Sequence, residues 1–266
     1  MLMYIYGVCL RALYLPGDRF CMNINGFLDN YKYVFDPEGL YGGNQNTPKD
    51  DSRRFESIVK KYHSEYTETD VNKCLRMLSK EGCGYVALIN SIFLKFYGEE
   101  EHFEKIFGYP MHLPDGRLNF DDLLVDFYCA TDNHNGFLGF DFVDRNEDAK
   151  YENGYGTTID STEWRFETYM KKHGIKVSLK PIRAKPETLS KLLEKGPVMV
   201  SVRPNVLYDI NGKKTYESKA GHTMSVTGVA DNGLIRVSSW GKEYYIKHGS
   251  YSAYEYYQQV IYTRSV

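Results

Sequence analysis

The sequence has little of what would sort it into a class at sight. Cysteine is scarce and irregular: Cys9, Cys21, Cys74, Cys83 and Cys129 make an odd count of five with no repeating interval. That excludes a disulfide framework as the organising device of the chain. No Cys-x-x-Cys pair or cysteine–histidine cluster has zinc-ligand spacing, so no structural metal is expected, and no motif asks for a cofactor. Excess positive charge is missing too. The 33 Lys plus Arg face 35 Asp plus Glu, a formal charge of −2, which leaves no nucleic-acid footprint and no polybasic membrane patch. No apolar run is long enough to span a bilayer. The apolar opening, MLMYIYGVCL, has no basic residue ahead of it and no small-residue cleavage site behind. It reads as a buried strand or helix and not as a signal peptide, which leaves a cytoplasmic protein or one exported by a non-classical route. Repeats and low-complexity segments are absent.

Aromatic side chains are what the chain has in quantity. Tyrosine alone accounts for 24 residues, which argues against disorder and suits a tyrosine-rich core or a surface that grips polypeptide. A length of 266 residues allows one large domain or a domain with an appendage. The turn signals LPGD, DPEG and YGGNQNTPKDD make residues 1 to about 50 irregular. Residues 1–65 are therefore expected to form an N-terminal extension, and 66–266 the main domain. Ser52 to His63 and TETDVNKCLRML are helical patterns. Residues 84–97 form an apolar helix stopped by Gly98, and 99–160 read as an excursion of helix and loop. STEWRFETYMKKHG is a further helix, followed by the strand IKVSLKPI. PETLSKLLEKG is a short helix, and after it the period changes to two: PVMVSVR, HTMSVTGV, LIRVSSW, EYYIKHG and YYQQVIYTRS read as strands. A helical half followed by an antiparallel half is an α+β fold.

EGCGYVALIN places Cys83 where this apolar helix begins. The positive end of the helix dipole favours thiolate over thiol, and Gly82 and Gly84 leave room for a substrate backbone. The other four thiols sit inside apolar or helical patterns, as small hydrophobes do. Among the seven histidines, five (His63, His102, His112, His173 and His248) lie in polar helical or turn contexts and His134 in a loop. His222 alone opens an apolar strand, behind Ala220-Gly221. A strand-edge histidine is more often structural than catalytic, and a cysteine at this place is as often buried as reactive.

Four segments in order change that balance. EGCGYVALIN, then LEKGPVMVSVRP, then AGHTMSVTGV, then LIRVSSWG resemble the nucleophile helix and the β half of papain-like cysteine peptidases, most closely the bacterial leader-peptidase-like branch. The resemblance implies a papain-like fold and a bacterial origin. It makes Cys83 the nucleophile and His222 the general base, and has Trp240 cover the histidine. Gly82, Gly84, Gly221 and Trp240 then line the substrate site, and the partner is a peptide or protein substrate. It also places the histidine-orienting residue at Ser238, where the family has asparagine. Two departures follow. A two-residue Asn-Gly turn would pair His222 with Glu243, so Ser238 needs a longer loop or a bulge, or another group orients the ring. Met77 stands where the oxyanion glutamine is expected, leaving the Cys83 N–H with Asn72 or Lys80 as donors. The expected activity is peptide hydrolysis through an acyl-enzyme. A papain-fold amidase, deamidase or acyltransferase of the bacterial effector type, or a peptide-binding domain without chemistry, are the alternatives.

Overall fold

The computed structural model describes residues 26–131 and 159–263. The expected buried segment at the N-terminus, with Cys9 and Cys21, and the loop holding His134 lie outside the described residues. The fold is α+β: eight α-helices and one eight-stranded antiparallel sheet among the described residues. No helix among them is long and apolar enough to cross a membrane.

The helical half runs α1 (Gly26–Val34), α2 (Ser52–Tyr62), α3 (Glu68–Glu81), α4 (Cys83–Phe96), α5 (Glu100–Phe107), α6 (Phe120–Thr131) and α7 (Ile159–Lys172). Helix α3 starts on a capping box, with Thr67 and Asp70 serving each other's backbone N–H groups. Helix α4 is buried almost all round, as its composition predicts, because other helices and the sheet enclose it.

The sheet has the order β1-β8-β2-β5-β6-β7-β3-β4. Its strands are β1 (Lys176–Ile182), β2 (Val198–Arg203), β3 (Asn205–Tyr208), β4 (Lys214–Ser218), β5 (His222–Val229), β6 (Ile235–Ser239), β7 (Lys242–Ile246) and β8 (Tyr254–Thr263). A short helix, α8 (Pro186–Leu193), joins β1 to β2. The β3–β4 hairpin is not legible as strands, because β4 is exposed along most of its length and carries no apolar alternation.

Helix α4 lies against one face of the sheet. Asn90 Nδ2 donates to Ser225 Oγ at 3.1 Å, and the hydroxyls of Ser91 and Tyr262 meet at 2.9 Å. On the opposite face Gln259 Nε2 donates to the Leu192 carbonyl of α8 at 2.7 Å. Both faces of β2 are covered, so Met199 and Ser201 are as buried as Val198, Val200 and Val202.

Residues 26–65 are no appendage. Tyr31, Val34, Phe35, Tyr41, Phe55 and Val59 belong to the same core as α4 and the sheet. The sequence hid this because the apolar side chains, mostly aromatic, are spread singly through a turn-rich segment. Tyr41 O accepts from Ser238 Oγ, and Tyr41 OH shares a 2.7 Å hydrogen bond with Thr227 Oγ1. The segment beyond α1 is thus fastened to β5 and β6.

Candidate active site

Helix α3 passes into α4 through Gly82 alone. Its N–H still donates to Leu78 O of α3, while its own carbonyl accepts from Val86 N of α4. A Cβ at Gly82 would stand 2.5 Å from Leu78 O and 3.1 Å from Gln45 Cβ. Gly82 therefore exists to let two helices meet, and its space is filled by the protein. Gly84 is buried inside α4.

Cys83 sits at this junction, half-buried. The backbone N–H groups of Thr223, Gly84 and Cys83 itself turn toward its sulfur and favour thiolate, but burial outweighs them and pushes the thiol up. This reverses the expectation from the helix dipole: burial is the larger effect, and the neighbouring Glu81 charge also raises the thiol. Thr223 is the residue after His222, so the sulfur reaches the first turn of the strand that carries the imidazole.

His222 is buried, and burial lowers it to about 4. Its Nε2 lies 2.6 Å from Ser239 Oγ, and its ring stacks on Trp240 with centroids 4.7 Å apart and planes 26° from parallel. Tyr216 also meets Trp240, edge-on at 5.0 Å. Its backbone takes φ 51°, and Gly241 follows with φ 72°. Together they make the tight turn between Ser239 and Lys242 that folds the indole over the histidine.

The orienting partner is Ser239, not Ser238. Ala230 N donates to Leu234 O at 2.8 Å, so the five residues between β5 and β6 close on a three-residue turn, 231–233, with Gly233 at φ 80°, and a bulge lies in β5 between Val226 and Gly228. The resulting register sets Ser225 opposite Ser238. Cross-strand partners share a face and side chains alternate, so Ser238 looks toward α4 and Ser239 shares the face of Met224 and His222. Ser238 is buried beside Gly42 and Asn90 and donates to the Tyr41 carbonyl. The bulge that the sequence called for is present, but it serves the next serine.

No family model, curated protein or solved structure matches the chain. The site therefore stands on its own geometry.

Neither side chain offered for the oxyanion serves it. Asn72 Nδ2 donates to Glu68 O within α3, about three turns from Cys83, and Lys80 is exposed. The expected substrate space above Gly221 is also taken: a Cβ there would collide with the hydroxyl of Tyr254 and stand 3.4 Å from its Cζ. Two residues that motif reading passed over shape the site instead. Gln45 lies buried against Gly82, its amide donating to Ser79 O at 3.0 Å, and Tyr254 covers Gly221 while remaining 38% exposed. Neither belongs to a periodic pattern or a motif that marks it in the sequence.

Proposed function

We propose that the chain is a papain-like thiol hydrolase that cleaves peptide bonds through an acyl-enzyme on Cys83. The observation that carries this reading is that the Cys83 sulfur meets the backbone of Thr223, the residue after His222, while His222 itself is bonded to Ser239 and stacked on Trp240. A thiol, a base, a hydroxyl that fixes the base and a ring that shields it from water are the parts that covalent acyl transfer requires.

The resting pair is neutral, since burial raises the thiol and lowers the imidazole. Catalysis then follows the logic of a serine–histidine pair and not that of a preformed ion pair. Nε2–H donates to Ser239 Oγ, which leaves Nδ1 to take the Cys83 proton as Sγ attacks the substrate carbonyl. Hydrogen bonds of this kind are often long in a free enzyme and tighten around substrate. The imidazolium returns its proton to the leaving amine as the C–N bond breaks, and water releases the acyl group by the reverse path.

A second reading, a peptide-binding domain without chemistry, draws on the same neutral pair, because a thiol that burial raises above its ordinary range is less readily ionised to the nucleophilic thiolate. Peptide mapping after iodoacetamide treatment over a range of pH separates the two. The hydrolase reading expects Cys83 to label ahead of the buried Cys74 and Cys129, with a rate that climbs about tenfold per pH unit through neutrality. It also expects His222→Ala and Cys83→Ala to lower peptide-amide turnover by ~10³-fold or more. A Cys83 that stays unlabelled at pH 9 while Cys74 and Cys129 react removes the nucleophile and leaves the binding domain.

A further inference from the structure

Attack on a carbonyl moves a pair of electrons onto oxygen, and that charge needs a hydrogen-bond donor near the nucleophile. Asn72 is tied to Glu68 O about three turns from Cys83, Lys80 is exposed and Gln45 is committed to Ser79, which turns attention to the hydroxyl of Tyr254. Tyr254 opens β8 opposite Arg203, and its ring crosses to the backbone of Gly221. Gly221, His222 and Thr223 are consecutive. The phenol therefore touches the residue before the base, while the Cys83 sulfur touches the residue after it. A two-residue step along a strand covers roughly 7 Å, so both groups stand at one short stretch of backbone. Gly221 is required there because any side chain would occupy the place of the hydroxyl.

We propose that Tyr254 is a catalytic residue whose phenolic O–H donates to the oxyanion formed when Cys83 attacks the substrate carbonyl. The proposal rests on the hydrolase reading above. The phenol keeps its proton throughout: the C=O electron pair moves onto oxygen, accepts the O–H hydrogen bond, and returns when the C–N bond breaks. Burial and the neighbouring Cys83 both push the phenol above its ordinary range, so it remains a donor at neutral and mildly alkaline pH. Tyr254 is partly exposed, at the surface beside Gly221. The Cys83 N–H supplies a second donor.

Two reactions of Cys83 distinguish this role from a structural one. Acylation by N-acetylglycine p-nitrophenyl ester passes through an oxyanion; alkylation by iodoacetamide, a displacement at saturated carbon, does not. Tyr254→Phe is expected to slow acylation ~10²-fold while alkylation of Cys83 changes less than about twofold. Gly221→Ala, whose methyl displaces the hydroxyl, should reproduce that pattern. If Tyr254→Phe leaves both rates unchanged, or lowers both equally, the hydroxyl is not an oxyanion donor. If the wild-type protein alkylates at Cys83 but never acylates, the hydrolase reading itself fails and this assignment falls with it.

Discussion

His222 Nε2 and Ser239 Oγ lie 2.6 Å apart beneath the indole of Trp240, and Ser238, one residue earlier, turns its hydroxyl to Tyr41 on the other face of the sheet. One position along a strand separates a serine that can hold the imidazole from one that holds the N-terminal segment in place.

Substitution of the two serines should therefore have opposite signatures. Ser239→Ala removes the partner of the imidazole without removing the base, so turnover should fall ~10-fold with little loss of stability. Ser238→Ala leaves the Tyr41 carbonyl buried without its donor and should cost about 1–3 kcal/mol, with turnover nearly intact. Steady-state kinetics beside denaturant titration of both variants checks the pair. Loss of turnover in Ser238→Ala alone would restore the assignment made from sequence.

The buried imidazole ties stability to pH. His222 is lowered to about 4 from an ordinary 6.5, so between these values the unfolded chain binds a proton that the native protein refuses. The contribution is fully present above pH 6.5, declines as pH falls toward 4, and is flat below. The loss is roughly 1.4 kcal/mol per pH unit, about 3 kcal/mol in all. Urea unfolding at pH 7 and at pH 4.5 measures it. His222→Gln should reduce the difference between the two pH values by most of that amount; an unchanged difference would mean that other groups carry the acid sensitivity.

Much of the fold is legible where burial is one-sided or complete. Helix α4 shows as a mostly apolar run, interrupted by Asn90, Ser91 and Lys95 and ending before Gly98, and β5 and most of β8 show as strands, because in each case tertiary packing and local pattern ask for the same residues. Helix α1 and the β3–β4 hairpin do not show, since the first lies among turn signals and the second is exposed. Cys83 and His222 can be singled out as candidates from motif order. Ser239 cannot, because its role depends on a three-residue turn plus a bulge, and each shifts the register by one residue. Nor can the electrostatics: the helix start argues for a thiolate, and only the packing around Cys83 shows that burial wins. Gln45 and Tyr254 reach the site through long-range packing, which leaves no local trace.

Asp126 offers a test of how the helical half is held together. Fully buried in α6, its Oδ1 accepts from Lys61 Nζ at 2.9 Å, Tyr62 OH at 2.8 Å and Tyr109 OH at 2.9 Å, and its Oδ2 accepts from Tyr169 OH at 2.8 Å. One carboxylate thus joins the end of α2, the loop after α5, and α7. Asp126→Ala removes the shared acceptor of three tyrosine hydroxyls and of the half-exposed Lys61, and should cost about 3–5 kcal/mol. Tyr169→Phe keeps the ring packed against Phe107 and Phe127 and loses one charge-assisted bond, so about 1.5–3 kcal/mol is expected. Guanidinium titrations should rank the two in that order. Equal effects would mean that the carboxylate matters only through Tyr169.

Gly42 and Gly98 form a matched pair for measuring what the loop under the site requires. Both take a left-handed backbone, with φ of 80° and 84°. At Gly98 an added Cβ meets nothing within 4 Å, whereas at Gly42 it would stand 2.6 Å from Ser238 Oγ and 2.8 Å from Asn90 Nδ2. Gly98→Ala should therefore cost only the left-handed backbone penalty, about 1–2 kcal/mol. Gly42→Ala adds a collision with two buried polar groups. Asn90 Oδ1 accepts from Gly43 N at 2.9 Å while its Nδ2 donates to Ser225, so a shift of Asn90 releases both the loop and the strand. The expected cost is about 3–5 kcal/mol, the backbone penalty plus one or two buried hydrogen bonds. Because the same loop carries Gln45 against Gly82, the Gly42→Ala protein that remains folded should also alkylate at Cys83 at an altered rate, and Gly98→Ala should not. Equal stability losses in the two variants would mean that the loop yields freely, and that residues 41–45 are not a fixed wall of the site.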